Sequence, residues 1–456
     1  MRPKPEPLPS LLARLDEAAL YHRASDRGFF TLLWADPAAA PGNRQPALKV
    51  QRAYRLDALP QVIEAIDPER DTWISQAEFC QPNRRIVHLL RLNLCFADLD
   101  TYKTPWRGTP PEPLLGRFLG YCGDEGLPHP SLVVYSGRGL QVKWLLERPL
   151  PRAALPRWNA VQKELVARLE PFGADPGARD ASRVLRLVDT VNTRSGERVR
   201  VLWVQWHAGE VRQYGFELLA ETLLPASREA LQLKRQTPPE QRAPLKVLPG
   251  GKTGNLRAFS GRQLAWDRLE DLRTLAKLRG WTERGVPHGY RSKYVHWCLN
   301  FLLLSGAVTS NHLFQEAKAL VGEVCPDFTK EVRSILSTLY RKAQAYERGE
   351  KIEFGGRTYP PLYTPRNRTL LALFDVQEAE MRQLKTIIAP DEARNRDAER
   401  KQQRRLQRGG TKRVVYREAA ERRRAQAQLL RAKGLSIRDI AAEMKVSKSQ
   451  ICRYLR

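Results

Sequence analysis

The chain has 456 residues, with 77 Lys and Arg against 50 Asp and Glu and a formal net charge of +27. Solubility does not require so large an excess of cations, so the composition favours a polyanionic partner, most simply nucleic acid. No apolar run approaches the roughly 20 residues of a membrane-spanning helix, and the first residues contain no apolar signal core, so we expect no membrane partner and a cytoplasmic protein. The six cysteines and seven histidines are dispersed, which argues against a disulfide framework or a zinc site.

The first half of the chain predicts alternating strands and helices. In chain order these are a helix at 11–21, a strand at 28–34, a loop at 40–48, strands at 71–76 and 84–100, a helix at 112–125, a strand at 131–135 followed by a hairpin partner at 140–146, a helix at 157–168, and strands near 183–186 and 198–206. Because these elements alternate without repeats, residues 1–224 are predicted to form one mixed α/β domain.

An apolar run, Asn93-Leu-Cys-Phe-Ala, ends in Asp98-Leu-Asp100. Side chains alternate faces along a strand, so Asp98 and Asp100 emerge on the same face. A divalent cation would relieve the repulsion between them, and hard oxygen ligands suit Mg²⁺ or Mn²⁺. The alternative is a strand that runs into a turn, where Asp is common.

The strand at 131–135 ends in the turn Ser136-Gly137-Arg138-Gly139. The two glycines would let backbone amides approach a ligand closely, and a triphosphate would suit such an edge. Further donors near this edge are Ser136, Arg138, Gln141 and Lys143. An ordinary glycine hairpin with a solvated basic face explains the same residues.

Two more carboxylates, Asp175 and Asp180, precede a short strand that carries Arg183 and Arg186, with Asn192 beyond it. Either arginine could bind a phosphate in bidentate fashion or fix the carboxylates by ion pairing. A structural role for the arginines fits the pattern equally well.

In this order the motifs resemble the primase domain of plasmid and mobile-element replication proteins in the archaeo-eukaryotic primase superfamily, over about residues 60–205. The resemblance implies an RRM-like core in which Asp98 and Asp100 bind metal with Asp175 as the third ligand and Asp180 as the fallback. It also implies that the turn with Gly137 and Gly139 belongs to the nucleotide-binding motif, whereas Arg183 and Arg186 are nucleotide-binding candidates on the physical grounds given above. Gln141 stands where many members have histidine, and because glutamine cannot carry charge, altered nucleotide handling stays open.

Three functions follow from this interpretation. The first is a DNA primase or primase-polymerase that makes short primers from nucleoside triphosphates on single-stranded DNA by two-metal transfer with Mg²⁺ or Mn²⁺. The second is a non-catalytic replication initiator or regulator that binds DNA and has a degenerate core. The third is a metal-dependent nuclease.

The remaining chain is predicted to hold a linker at 225–256, a helical domain at 257–390, a basic connector at 391–424 and a helix-turn-helix at 425–456. Gly251-Lys-Thr253 in the linker lacks the earlier glycine of a nucleotide-binding loop, so any replicative helicase would be a separate chain. The helical domain resembles the one that follows the catalytic core in this primase group, and its Trp281, Tyr290 and Trp297 would stack on template bases or pack in its core. In the helix-turn-helix, duplex DNA would meet Ser447, Lys448, Ser449, Gln450 and Arg453. A generic three-helix interaction module is the alternative.

Overall fold

The computed structural model describes residues 16–23, 27–36, 48–224, 254–327, 330–407, 409 and 413–455. These residues form two compact units, one ending at Ile387 and the other beginning at Ile388. The predicted Gly-Lys-Thr segment of the linker, the loop at 40–48 apart from residue 48, and residues 11–15 of the helix predicted at 11–21 lie outside the described residues. Residues 16–21 of that predicted helix are described, and they contain only a short 3₁₀ helix at Ala18–Leu20.

A ten-stranded sheet forms the centre of the first unit. The strands of this region are β1 (Phe29–Asp36), β2 (Leu48–Arg55), β3 (Thr72–Ser75), β4 (Ala77–Phe79), β5 (Leu89–Leu99), β6 (Leu132–Tyr135), β7 (Leu140–Pro151), β8 (Val184–Arg186), β9 (Val191–Asn192), β10 (Glu197–Arg198), β11 (Arg200–Val204), β12 (Trp206–His207), β13 (Glu210–Val211) and β14 (Gln213–Tyr214). The hydrogen-bonded order is β11-β6-β7-β5-β4-β1-β3-β8, with β2 on β1 and β14 on β7. Among the described pairs of this sheet, only β14 with β7 is parallel. The predicted mixed-sheet α/β core is confirmed.

Strand β5 runs through the middle of this sheet, and its residues from Leu92 to Ala97 are buried. Near its end β4 no longer pairs with it, and a helix covers the open backbone instead. Gln162 of that helix accepts a hydrogen bond from the Phe96 N–H and donates one to the Phe96 carbonyl, both at 3.0 Å. Trp158 donates to the Leu94 carbonyl at 2.9 Å. Buried backbone groups must find partners, so these side chains let β5 end without a second neighbouring strand.

Among the described residues, four helices flank the sheet and seven more form the helical region that follows it. They are α1 (Leu59–Glu64), α2 (Pro111–Asp124), α3 (Leu155–Arg168), α4 (Phe216–Leu223), α5 (Gly254–Leu278), α6 (Trp281–Arg284), α7 (Arg291–Leu304), α8 (Leu313–Val324), α9 (Lys330–Glu347), α10 (Asn367–Phe374) and α11 (Glu378–Met381). Helix α7 is central, because its residues from Cys298 to Leu304 are all buried. Within the predicted helical domain, apolar residues three to four apart predict helices at 264–278, 291–304, 311–321 and 329–346, and these agree with α5, α7, α8 and α9.

The helical region packs against the α/β core through buried charges. Glu316 on α8 accepts hydrogen bonds from the backbone N–H groups of Ile86 and Val87, each at 3.0 Å. Glu323 lies about two turns further along α8 on the same face of the helix. It is 3.2 Å from His88 of the core and 3.1 Å from Arg273 of α5. These contacts hold the two parts of the first unit together.

A two-stranded hairpin, β15 (Ile352–Phe354) and β16 (Arg357–Tyr359), interrupts the helical region. The sequence pattern did not predict it, since residues 257–390 were expected to be helical throughout.

The second unit contains α12 (Pro390–Gln407), α13 (Arg413–Ala432), α14 (Ile437–Glu443) and α15 (Lys448–Leu455). Ser436 caps α14 in a reciprocal capping box with Asp439. Ala427, Leu430, Ile440, Ile451 and Tyr454 form a small core. The predicted helix-turn-helix is confirmed, and much of the predicted connector is helical, because α12 and the first half of α13 fall within 391–424. Within the described ranges, no helix has both the length and the apolar character that crossing a membrane demands.

Candidate active site

A cleft of about 240 Å³ opens where the two ends of the sheet face each other. Its walls include Asp98 on β5, Gln141 on β7 and Arg186 on β8. With the Gln141 amide oriented so that both polar atoms are satisfied, it accepts from the Arg186 N–H at 3.0 Å and donates to the Arg186 carbonyl at 3.3 Å. Strands β7 and β8 are far apart in the hydrogen-bonded order, so the sheet curls to make this contact.

Asp98 and Asp100 line one corner of the cleft, and the segment that carries Asp175 pairs with the strand end that bears them. After β5, the segment 173–175 runs antiparallel to the strand end: the Asp100 N–H donates to the Gly173 carbonyl and the Asp175 N–H donates to the Asp98 carbonyl, both at 2.9 Å. Burial, with the nearby charges of Asp100 and Asp175, raises the pKa of Asp98 to about 7. A cation beside Asp98 would therefore stabilise its charged form.

The carboxylates do not converge on one point. Asp100 forms an ion pair with Lys103 at 2.5 Å, and Asp175 accepts a hydrogen bond from the Gly177 N–H at 2.8 Å. Across the part of the chain that the structure describes, no three His, Cys, Asp or Glu side chains are grouped closely enough to hold a metal ion. The donor set nevertheless fits Mg²⁺ or Mn²⁺, because carboxylate oxygens are the hard ligands that these ions prefer. The present partners of the two carboxylates, Lys103 and the Gly177 N–H, lie within three residues of them in the sequence, so a metal ion could replace them.

Asp180, the fallback ligand, faces other partners. It binds the Arg183 guanidinium at 2.9 Å and accepts from the Ser182 N–H at 3.0 Å. It lines a different pocket, together with Lys163 and Arg179. The structure thus brings Asp175, and not Asp180, alongside Asp98.

The glycine turn is fixed against β5. The Ser136 hydroxyl donates to the Gly139 carbonyl at 3.1 Å, and Asn192 donates to the Ser136 carbonyl at 2.8 Å. A Cβ on Gly139 would lie 2.1 Å from the Leu99 carbonyl oxygen, and Gly137 has a φ of +87°. Both glycines are therefore required by close contacts within the protein itself, whereas the sequence predicted that they let a ligand approach the backbone.

The wall opposite the carboxylates is basic and aromatic. The Lys49 ammonium lies 4.5 Å and the Arg186 guanidinium 4.8 Å from the ring centroid of Trp73. Burial, together with the charges of Arg194 and Arg186, lowers the pKa of Lys49. Because these like charges are not fully neutralised, the wall suits an anionic ligand. On the other side of the cleft Arg138 stacks on Tyr102, with 3.9 Å between the guanidinium carbon and the ring centroid.

Sequence reasoning missed Lys49 and Arg194 as site residues and used Trp73 only as strand context. Lys49 lies on β2, a strand that the sequence pattern did not predict, and it reaches the cleft only because the sheet curls. The proximity of Arg194 to Asn192 was the one available signal.

The structure corrects the predicted position of Lys143. Its side chain shares a face with Gln141, as the alternation predicted, but it is fully buried and forms an ion pair with Glu17, beside Tyr21. Burial lowers the pKa of Lys143, and Glu17 opposes that effect. Lys143 therefore stabilises the interior and does not reach the cleft. Arg186 reaches the cleft but is also ion-paired, with Asp71.

The predicted DNA-contacting residues lie at the start and along one side of α15. Ser447 precedes the helix and its hydroxyl accepts from the Gln450 N–H at 3.3 Å. Lys448, Ser449 and Arg453 are exposed, and Gln450 is half-buried. These side chains are placed for contact with a partner.

The chain resembles known proteins both in sequence and in structure. Residues 418–456 match a family described as a homeodomain-like domain. The chain is 24% identical to a "Replication protein" of Clostridium perfringens over 327 residues, which are 70% of this chain and 69% of that protein.

Solved structures similar to the chain include the AEP domain of the cyanophage S-2L primase-polymerase, with 19% identity, a TM-score of 0.32, and coverage of 45% of this chain and 94% of that one. The catalytic domain of primase RepB′ in complex with initiator DNA matches at 14% identity and a TM-score of 0.28, covering 48% of this chain and 96% of that one. Primase RepB′ matches at 15% identity and a TM-score of 0.27, covering 72% and 92%.

Proposed function

We propose that this chain, a homologue of a replication protein, is a DNA primase or primase-polymerase that makes short primers on single-stranded DNA for the replication of a plasmid or mobile element. The observation that carries the proposal is a single cleft in which Asp98, flanked by Asp100 and Asp175, faces a wall of cations. An acidic corner suits divalent cations and a basic wall suits a triphosphate. Nucleotide joining needs both side by side.

Asp98, Asp100 and Asp175 are the residues that would hold the metal. Bound there, Mg²⁺ or Mn²⁺ would supply Lewis-acid stabilisation of the negative charge that develops during nucleotide joining. The chain's own cations, Lys49, Arg138 and Arg194, neutralise the triphosphate. The Ser136–Gly139 turn keeps Arg138 beside the strand end that bears the aspartates.

The test is primer synthesis by the full-length protein on single-stranded DNA with labelled nucleoside triphosphates and Mn²⁺. Short products are expected, and Asp98→Asn with Asp100→Asn should abolish them. The matched control is Asp124→Asn, which removes an exposed carboxylate at the end of α2. Products that survive the double substitution would exclude this site, and degradation of the input strand in place of synthesis would indicate a nuclease.

A second candidate, a DNA-binding initiator or regulator without catalysis, is favoured by one observation. The Gln141 amide is occupied by the backbone of Arg186 and has no charge to offer a phosphate. Duplex binding without incorporation under Mg²⁺ or Mn²⁺ would support this candidate. If Gln141 is the cause of the missing catalysis, Gln141→His should raise nucleotide incorporation.

The second unit supplies duplex DNA binding in either case. Its homeodomain-like domain would place α15 against the major groove, with Lys448 and Arg453 toward the DNA. Helicase activity would come from a separate chain.

A further inference from the structure

The β15–β16 hairpin exposes a cluster of apolar side chains. All six of its strand residues are exposed, and the exposed fraction reaches 47% for Ile352, 78% for Phe354 and 41% for Tyr359. An isolated two-stranded hairpin is marginally stable in water, and grouped exposed apolar residues mark interaction surfaces. The packing of the protein itself does not explain why these residues are apolar.

The strand register places the aromatic side chains on one face. Ile352 is paired with Tyr359, and Phe354 with Arg357. Directly paired residues share a face of a hairpin, and the pairs two residues apart share it as well. The aromatic face therefore carries one charge, the cation Arg357, whereas the anion Glu353 lies with Thr358 on the opposite face.

The hairpin is fixed at its base and tightly turned at its tip. Gly355 and Gly356 have φ values of +58° and +70°, as a two-residue type I′ turn requires. After β16 the chain re-enters the helical region, where Leu362 is fully buried and the Tyr363 carbonyl accepts a hydrogen bond from Asn300 at 2.9 Å. Phe354, next to the turn, is thus presented at the end of an anchored projection.

We propose that this face binds single-stranded DNA, with bases stacking on Phe354 and Tyr359 and Arg357 contacting a phosphate. Aromatic rings beside a guanidinium are the usual components of such surfaces, because every base offers a π-face. A single strand is favoured over a duplex, whose bases are already stacked on each other. Charge favours nucleic acid over an acidic or apolar protein, since the chain carries +27 and the only charge on this face is positive. The inference rests on the proposed function only in taking the template as the source of the strand.

The test measures binding of the full-length protein to fluorescein-labelled oligothymidylate by anisotropy, without divalent metal and with excess unlabelled duplex to occupy the second unit. Phe354→Ala with Tyr359→Ala should weaken binding by roughly 5- to 100-fold. Phe354→Trp, which keeps a stacking ring, should retain it. Thr358→Ala, on the opposite face, is the matched control and should change nothing.

A second readout does not depend on any variant. Oligothymidylate carrying 5-iodouracil, irradiated on the wild-type protein, should cross-link to a peptide containing residues 352–359. Asp98→Asn should bind and cross-link normally even when it makes no primers, so failure of the proposed catalysis and failure of this inference are separable. Unchanged affinity of the double variant, or cross-links confined to other peptides, would overturn the inference. Loss of self-association in sedimentation with unchanged DNA affinity would instead identify the face as a contact between copies of the chain.

Discussion

The backbone N–H of Asp175 donates a 2.9 Å hydrogen bond to the carbonyl oxygen of Asp98. The spacing between two of the three acidic residues is therefore set by main chain, not by flexible side chains. Gly173 makes the matching bond with Asp100, so the loop after α3 continues the sheet for three residues. A loop that is held in this way brings Asp175 beside Asp98, while its carboxylate accepts a hydrogen bond from the Gly177 N–H two residues further on.

This geometry predicts different outcomes for the two candidate third ligands. Asp175→Asn should reduce Mn²⁺-dependent nucleotide incorporation by at least about 100-fold, because it removes charge beside Asp98 where metal would bind. Asp180→Asn should reduce it by less than about 10-fold, since its carboxylate binds Arg183. Steady-state incorporation rates on a primed template measure both. The reverse order would make Asp180 the ligand.

Gly139→Ala should damage the same corner through packing alone. The added Cβ would lie 2.1 Å from the Leu99 carbonyl oxygen, between Asp98 and Asp100, and that oxygen belongs to a strand that cannot easily move. We expect a loss of at least about 1–3 kcal/mol of unfolding free energy in urea, together with lower incorporation. Gly116→Ala on α2, where a Cβ meets nothing within 4 Å, is the control and should be neutral or slightly stabilising.

Local pattern was sufficient to place two residues of the candidate site. Alternation along β5 predicted Asp98 and Asp100 on one face, and both line the cleft, whereas the role of Asp175 as third ligand stays a prediction. Alternation gives the face of a side chain but not its depth, which is why Lys143 was assigned to the cleft while it lies buried beside Glu17. Lys49 could not have been found, because its approach to the cleft depends on the curl of the whole sheet.

The errors outside the site have similar causes. The β15–β16 hairpin has only three residues in each strand, and such short runs carry little periodicity. Helix α13 begins at Arg413, twelve residues before the predicted start at Ala425, so it includes part of the segment predicted as a charged connector that is helical or partly disordered. The N-cap at Ser436, in contrast, follows from the chemistry of serine before a helical run, which does not depend on tertiary contacts.

The buried pair predicts how Lys143 acts. Lys143→Met leaves the Glu17 carboxylate without its cation in a site where Glu17 is only 2% exposed. We expect a loss of about 3–5 kcal/mol of unfolding free energy, measured in urea, which Glu17→Gln in the same chain should largely recover. Nucleotide affinity of the folded protein should be unchanged.

Arg138→Ala should do the opposite, with weaker nucleotide binding and little loss of stability.

Glu323 predicts a pH dependence of stability. Burial acts to raise its pKa, but the hydrogen bond with His88 and the charge of Arg273 outweigh burial and lower the pKa to about 2. A lowered carboxyl pKa stabilises the folded state above the unfolded pKa, and that stability is lost as pH falls through the folded value. Glu323→Gln should therefore cost up to about 3 kcal/mol near neutral pH. The difference from wild type should shrink between about pH 4.5 and pH 2.

Urea unfolding at several pH values measures this difference. Glu283→Gln, at an exposed position on α6, is the matched control and should show no such dependence. A difference between Glu323→Gln and wild type that stays constant down to pH 2 would contradict the assigned ion pair.

The exposed cations of α15 predict how duplex binding responds to salt. If Lys448 contacts a phosphate, Lys448→Ala should weaken binding to a random-sequence duplex and reduce the slope of log affinity against log salt by about 1. Arg453→Ala should act in the same direction, and Cys452→Ser, a neutral change at an exposed position between them, should leave the slope unaltered. Because these substitutions lie in the second unit, primer synthesis on a single-stranded template should continue at the wild-type rate. An unchanged salt slope in both cation variants would show that α15 does not lie on the DNA backbone, and would favour a protein partner for this helix-turn-helix.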